Sequence, residues 1–377
     1  MRVVLLNRDY HPHVGGIEKD VQHLAEGLSG QAQITVLVCR EERGPTIRYW
    51  RNGAEIVKAA SLGRLWSTPI SFVYPLLLKR CRAHVYHLHM PHPLGALSYL
   101  LARPPGHLVI TWHSDIVRQR GVIGFYRILS YLVLKRAKRI LVTSPNVLED
   151  SPSLGPFRNK CEVIPYGIPY DVVDNRRNWK AIRERYGPRI VFFLGRLVYY
   201  KGLEYLIDAI RKVNDAVLLI GGSGPLEEEL RSEAVEKGVE DRVVFLGYID
   251  DDDIGSYFHA CDVFVLPSVY KIEAFGQVQL QAMACGKPIV STDLPTGVPY
   301  VNQHRKTGIV VPPKDSEALA EAIQTLLDNP DLAKAYGRNA RERARGYFSI
   351  ENKLAATFRA YKQALKTSEA SPQVDDA

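Results

Sequence analysis

The stretch Val263-Phe-Val-Leu-Pro-Ser-Val-Tyr-Lys-Ile-Glu-Ala-Phe-Gly-Gln-Val-Gln-Leu-Gln-Ala-Met-Ala-Cys-Gly-Lys-Pro-Ile-Val-Ser291 holds the pattern that decides the fold. The apolar run Val263–Leu266 predicts a strand, a loop follows, and a helix then runs to Gly286, the usual helix stop. Pro288–Ser291 begins the next strand. A strand–loop–helix–strand unit of this kind is the building block of a parallel sheet with crossover helices.

The same alternation extends in both directions. Downstream and upstream in the second half, strands are predicted at Ile190–Leu194, Val217–Gly221, Val243–Leu246 and Ile309–Val311, with helices at Leu203–Val213, Pro225–Lys237 and Ser316–Asp328. The first half repeats the theme, with strands at Arg2–Leu6, Ile34–Cys39, Val85–Leu88, His107–Thr111 and Ile140–Thr143 and a helix at Ile17–Ser29. Around Val163-Ile-Pro-Tyr-Gly-Ile-Pro169 the punctuation changes, and a polar, Arg-rich stretch to Pro188 reads as a connector. The expectation is an α/β chain of two Rossmann-like domains, residues 1–168 and 188–346, with a last helix at about 348–366 packing back on the first. Ligands in such sheets bind beyond the carboxyl ends of the strands, so two such edges facing each other would enclose a central cleft.

Composition limits the function classes. With 377 residues, 46% hydrophobic and 24% charged, the chain suits two globular domains with cores. The longest apolar run, Pro69–Leu78, is about half the ~18–20 residues that a membrane span needs and contains two prolines. The amino terminus runs from Met1-Arg-Val-Val-Leu-Leu6 straight into charged residues, which argues against a secretory signal. Five scattered cysteines with no Cys-x-x-Cys pair favour reduced thiols, so a cytoplasmic protein is expected. The net charge of +8 is unevenly spread: between Ile56 and Leu148 thirteen residues are Lys or Arg and the one acid is Asp115. Arg118–Arg139 interleaves these bases with apolar side chains, as would suit an anionic bilayer, with the protein peripheral on the inner membrane face, or a phosphate-bearing acceptor; the alternative is a core-facing helix with a basic outer face. No nucleic-acid motif is recognisable, and nucleic acid is not an expected partner.

The loop before the helix carries the strongest site signal. Backbone N–H groups of Ala274, Phe275, Gly276 and Gln277 are expected at a helix start, where free donors and the helix dipole suit a phosphate. Glu273 would lie beside that phosphate, able to accept from the hydroxyls of a sugar. Gln281 lies eight residues on, roughly 12 Å along a helix axis. A second segment, Phe193-Leu-Gly-Arg-Leu-Val-Tyr-Tyr-Lys-Gly202, brings Arg196 and Lys201 to a strand end, where two cations can neutralise a departing diphosphate.

Glu-Ala-Phe-Gly followed by Ala-Met-Ala-Cys-Gly-Lys-Pro, with the Glu-x7-acid spacing, resembles glycosyltransferase family 4 over nearly the whole chain. The resemblance implies the GT-B fold, a retaining and metal-independent sugar transfer, and a nucleotide-sugar donor. It implies roles for Arg196 and Lys201 at the diphosphate, and for His113, within Val109-Ile-Thr-Trp-His-Ser-Asp115, at the reacting sugar. Gly15 and Gly16, in His11-Pro-His-Val-Gly-Gly-Ile-Glu18, match the loop beside donor phosphate and acceptor; His11, His13 and Asp115 are acceptor-side candidates. Gly222 and Gly224 match a donor-binding turn, and Gly247 and Tyr248 the position that contacts the base. One departure is Gln281, where the family has Glu: it can still accept from ribose but loses about 1 kcal/mol of charge assistance.

Asp250-Asp-Asp-Asp253 superficially matches a metal-holding Asp-x-Asp but directly precedes a predicted helix, so it reads as a cap, and no metal is expected. The run Pro295–Asn302 is similar to bacterial mannosyl- and rhamnosyltransferases of surface-polysaccharide assembly such as lipopolysaccharide, which implies GDP-mannose or a GDP-6-deoxyhexose as donor and a saccharide or polyprenyl-linked saccharide as acceptor. A nucleotide-sugar epimerase of the same fold and a non-catalytic nucleotide-sugar-binding protein are the alternatives.

Overall fold

Short runs that are apolar at every position need cover on both faces, and Val263–Leu266 and Ile190–Leu194 receive it from flanking helices. The architecture comes from a computed structural model that describes residues 1–11, 15–65, 68–115, 123–170 and 175–366. The chain divides into two compact units, Met1–Tyr166 with the segment from Ile350 onward, and Gly167–Ser349.

The second unit contains a six-stranded parallel sheet. Its strand order is Val243–Gly247, Val217–Gly221, Ile190–Leu194, Val263–Leu266, Ile289–Thr292, Gly308–Val311. In chain order this is 3-2-1-4-5-6, the dinucleotide-fold arrangement. The order reverses between Ile190–Leu194 and Val263–Leu266, which are neighbours in the sheet. Connections leaving these two strands in opposite directions open a crevice at their carboxyl ends, and the two predicted site segments, 195–202 and 267–277, are the loops that begin there.

The first unit repeats the plan. Its eight-stranded sheet has the order Cys161–Val163, Arg139–Val142, His107–Trp112, Val85–Met90, Arg2–Leu6, Gln33–Cys39, Ala54–Ala59, Ile47–Arg51. All neighbours are parallel except the last two, a hairpin. Helices Val73–Arg80, Pro93–Ala102 and Ile123–Arg136 cover one face of the sheet, and Gly16–Leu28 with Ile350–Lys366 cover the other. Alternation along Val85–Met90 sends Tyr86, Leu88 and Met90 to the first face and His87 and His89 to the second.

The fold departs from the sequence-based expectation in three places. Ala54–Ala59 and Ile47–Arg51 are strands that expectation did not contain, joined by Asn52-Gly53 with φ of 44° and 81°; that Asn-Gly dipeptide is itself a hairpin signal. The supposed connector before Pro188 includes a helix, Trp179–Tyr186, that packs on Asp251–Ala260. Arg183 fixes it by donating to the Ala260 and Pro188 carbonyls and pairing with Asp262 at 2.9 Å, so the second unit begins well before residue 188. Finally, Asp250 stands at the N-cap of Asp251–Ala260, but its carboxylate makes no capping hydrogen bond. Asp251, Asp252 and Asp253 lie in the first turn, where negative charge favours the helix dipole.

Candidate functional site

At the crevice of the second unit the two loops are tied together backbone to backbone. Val269 N–H donates to the Tyr200 carbonyl at 2.9 Å. Gly202 has φ of 67°, and a Cβ there would lie 2.3 Å from the Pro267 carbonyl oxygen, so only glycine lets the loops approach this closely. The Lys201 ammonium is bonded to Oε2 of Glu273, and Ser268 Oγ donates to the same oxygen at 3.0 Å. Their side chains are only 10% and 12% exposed, so the charges sit largely out of water. Both bonds fall on Oε2, leaving Oε1 of Glu273 as its remaining acceptor. Thr292 Oγ1 donates to the Ser268 carbonyl at 2.5 Å and steadies the loop from the next strand.

Arg196 differs from Lys201. It follows the strand Ile190–Leu194 in the same loop, is exposed, and forms no ion pair among the described residues. The sequence placed two cations, Arg196 and Lys201, at this strand end. In the structure Lys201 is neutralised by Glu273, whereas Arg196 has no ion-pair partner among the described residues.

The predicted glycines separate into distinct jobs. A Cβ on Gly222 would sit 2.0 Å from the Gly195 carbonyl oxygen, and one on Gly224 would sit 2.3 Å from that of Leu197. Both therefore let the turn after Val217–Gly221 lie flat against the Arg196 loop, which Leu197 N–H secures by donating to the Ser223 carbonyl at 3.0 Å. Gly247, with φ of 70°, ends its strand and turns the chain into Tyr248, which is 67% exposed. Gly276 also has φ of 70°.

The helix after this loop is Val278–Ala284, with Gln277 at the N-cap and no side-chain cap. It starts later than the 12 Å estimate assumed. Gln281 is therefore only about one turn, roughly 4.5 Å, into the helix, and the path from Glu273 is mostly loop. Ala274 and Phe275 are in that loop, and the Ala274 carbonyl accepts from Gly297 N–H at 2.8 Å. Phe275 is buried and packs edge-on against Phe348 at 6.1 Å. Gln281 is half-buried. Gln279, absent from the reading, is fully buried; its Nε2 donates to the Phe275 carbonyl at 3.3 Å while its Oε1 has no partner among the described residues.

In the first unit, His113 ends the strand His107–Trp112 and is only 2% exposed. One ring nitrogen meets the Tyr166 hydroxyl and the other meets His89 Nδ1 at 3.0 Å. His87 bridges Tyr361 and Thr111, each at 2.7 Å. Burial pushes His87 and His113 down to about 3, so both rings are neutral. Nearby, Lys353 of the last helix meets Asp20 in a buried ion pair. Burial pushes the Lys353 ammonium down, to about 7, against the pull of the Asp20 carboxylate. Ligand atoms of Asp20, His89 and His113 lie within 4.8 Å of one another, a grouping that sequence spacing did not reveal; Lys353 already meets the Asp20 charge. The sequence signal that was available is His87-x-His89, two imidazoles on one face of a strand.

The remaining first-unit candidates are less engaged. Gly15 precedes the helix Gly16–Leu28, and a Cβ on it would collide with Oε2 of Glu18 at 2.1 Å. Lys58 donates to the His11 carbonyl at 2.9 Å, and burial lowers the His11 imidazole. Asp115 accepts from Ser153 Oγ at 2.8 Å. His13 lies outside the described residues. No disulfide joins the five cysteines, and burial pushes Cys261 and Cys285 up to about 12, far from thiolate chemistry.

Ligands in doubly wound sheets bind at such a strand-order reversal, and here the crevice holds a shielded Lys–Glu pair, an exposed arginine and a glycine-built loop floor. Residues 14–172 match the family described as Glycosyltransferase Family 4 and residues 175–343 match Glycosyl transferases group 1. The chain is 32% identical over 374 residues to the O-antigen chain mannosyltransferase C of Escherichia coli, covering 97% of this chain and 100% of that one. It is 34% identical over 363 residues to a D-rhamnosyltransferase of Pseudomonas aeruginosa, covering 93% and 92%. In fold it is similar to the sucrose-phosphate synthase of Thermosynechococcus elongatus, with a TM-score of 0.80 over 97% of this chain and 99% of that one at 23% identity. The chain belongs to glycosyltransferase family 4 and has the GT-B fold. It is a glycosyltransferase.

Proposed function

We propose that this enzyme moves mannose or D-rhamnose from a GDP-linked donor to a saccharide carried on a polyprenyl-type lipid, in surface-polysaccharide assembly at the inner membrane face. The names of the E. coli and P. aeruginosa relatives, each matched over more than nine-tenths of this chain, support the sugar and the pathway class. One observation carries the assignment of the site: Lys201, Glu273 and Ser268 are bonded together at the point where the strand order reverses, beside the unpaired Arg196.

In this reading the diphosphate lies against Arg196 and the amides at Gly276 and Gln277. Its charge draws the Lys201 ammonium toward the phosphate, and Glu273 then turns to the hexose hydroxyls. Gln281 meets the ribose and the exposed Tyr248 offers a ring face to the base. In the first unit, His113, held by Tyr166 and His89, is the residue that the family resemblance assigns to the reacting sugar. The bond from the anomeric carbon to the diphosphate breaks while the acceptor oxygen bonds on the same face, with the acceptor proton passing to the departing phosphate. Configuration is retained, and fixed cations take the place of a divalent metal.

The test is a thermal-shift screen of sugar nucleotides with and without EDTA, followed by transfer to a lipid-linked acceptor. GDP-mannose or GDP-D-rhamnose should raise the melting temperature equally in both conditions. Stabilisation by UDP-sugars alone would refute the donor, and a requirement for cation would refute the charge assignment. Conversion of the donor sugar with no acceptor present would favour an epimerase.

A further inference from the structure

The helices Val73–Arg80, Pro93–Ala102 and Ile123–Arg136 pack side by side on one face of the first sheet. Their inward sides supply Tyr74, Leu78, Ala96, Tyr99, Leu129 and Val133 to the core. Their outward sides are apolar as well. Phe72, Leu76, Leu101, Phe125, Ile128 and Leu132 are between 44% and 74% exposed. Phe125, Ile128 and Leu132 fall at i, i+3 and i+7, a single stripe along the outer side of the last helix. A helix that is apolar all round is normally covered on all sides, and contiguous exposed patches of large apolar side chains mark interaction surfaces.

The rim of this face indicates what covers it. Lys79 and Arg80 end the first helix, Arg103 follows the second, and Lys135 and Arg136 end the third, all exposed. Arg127 is exposed between Phe125 and Ile128. Asp115, the one acid between Ile56 and Leu148, is held by Ser153. A protein partner of ordinary composition would leave this concentrated positive charge without partners, whereas an anionic bilayer meets both features: apolar side chains enter the headgroup–acyl boundary and bases meet lipid phosphates. At the edge of the face, Phe72 and Val73 border a recess of about 540 Å³ shared with Leu62 and Arg43.

We infer that the outer surface of these three helices is a docking face for an anionic lipid bilayer. Its functional meaning rests on the lipid-linked acceptor proposed above; its chemistry does not.

The experiment is co-sedimentation of the full chain with extruded vesicles of phosphatidylcholine alone or mixed with phosphatidylglycerol, at low and high salt. The wild-type chain should partition into the anionic vesicles about tenfold or more in excess of the neutral ones, and high salt should reduce that excess. Phe125→Glu combined with Ile128→Glu should lower partitioning by about tenfold or more, and Arg127→Glu with Lys135→Glu by a similar factor. Both variants change outward side chains only, and each should keep the wild-type melting temperature and GDP binding. Should the first variant melt early, the charge-reversal pair carries the test. Equal partitioning into both vesicle types, undiminished binding by the variants, or pelleting without vesicles would overturn the inference. Vesicle binding without any sugar-nucleotide binding would sink the proposed function and leave this surface standing.

Discussion

The Lys201–Glu273 pair makes a prediction that separates structure from chemistry. The two side chains are 10% and 12% exposed, so removing one charge strands the other nearly out of water. Breaking such a pair costs about 3–5 kcal/mol, whereas replacing both members by neutral groups of like size is close to neutral. Here the survivor keeps some company: Ser268 still donates to Glu273 in Lys201→Met, and the Tyr200 ring lies 5.6 Å from the ammonium in Glu273→Gln. A cost somewhat below that range, about 2–3 kcal/mol, is therefore expected. For a unit of the size of Gly167–Ser349, about 1 kcal/mol moves the melting temperature by about 2–4 °C. Each single variant should thus melt about 4–12 °C below wild type, and the Lys201→Met/Glu273→Gln double variant within about 4 °C of it. Transfer should fall by about a hundredfold or more in all three, because the double variant restores the fold but neither the phosphate cation nor the sugar acceptor. Calorimetry on the four proteins with parallel transfer assays decides it. Additive melting losses would show that the pair is not coupled; activity returning with stability would reduce both residues to scaffolding.

Arg196→Ala removes an exposed, unpaired charge and should leave the melting temperature within about 2 °C while weakening GDP binding by about ten- to a hundredfold in calorimetric titration; unchanged affinity would take Arg196 out of the site. Gly222→Ala forces a Cβ to within 2.0 Å of the Gly195 carbonyl at a φ of 115°, so it should destabilise by about 2 kcal/mol or more and weaken nucleotide binding through the displaced Arg196 loop. Gly346→Ala, in a helix with open space around it, should instead be neutral or stabilising by about 0.5–1 kcal/mol; equal denaturation midpoints for the two would contradict the packing role. Burial holds His87, His92 and His113 down to about 3, so the folded chain stays unprotonated at these rings while the unfolded chain takes up protons below about pH 6.5. Stability of the first unit should therefore fall as pH drops from about 6.5 toward 3, by about 1.4 kcal/mol per ring at about pH 5.5, and be insensitive to these groups above that window. Melting temperatures that stay flat between about pH 7 and 5 would contradict the buried neutral rings.

The parts of the fold legible in the sequence were those with local patterns. Val263–Ser291 announces its strand, loop, helix and next strand through apolar runs and a terminating glycine, and the structure places both site loops at the strand ends those runs imply. Ile47–Arg51 was missed although Asn52-Gly53 marks its hairpin, because that strand is a mostly exposed edge, with arginines at two of its five positions and Tyr49 only partly buried against the core. Partnerships made by tertiary packing left no local trace. Lys201 and Glu273 are 72 residues apart, and Lys353 and Asp20 are 333 apart, so neither pairing is encoded in a motif. The glycines at 222 and 224 were visible as a turn, but their purpose is set by the backbone of another loop lying against them. Apolar residues of Ile123–Arg136 gave no sign of which side faced water, since both sides carry them.

Hydrogen–deuterium exchange of the chain with and without GDP addresses the donor site most directly. Protection concentrated in peptides spanning residues 195–202 and 267–281, and lost in Arg196→Ala at the same nucleotide concentration, is the predicted result. Protection elsewhere in the chain, with those two loops exchanging as they do without nucleotide, would contradict it.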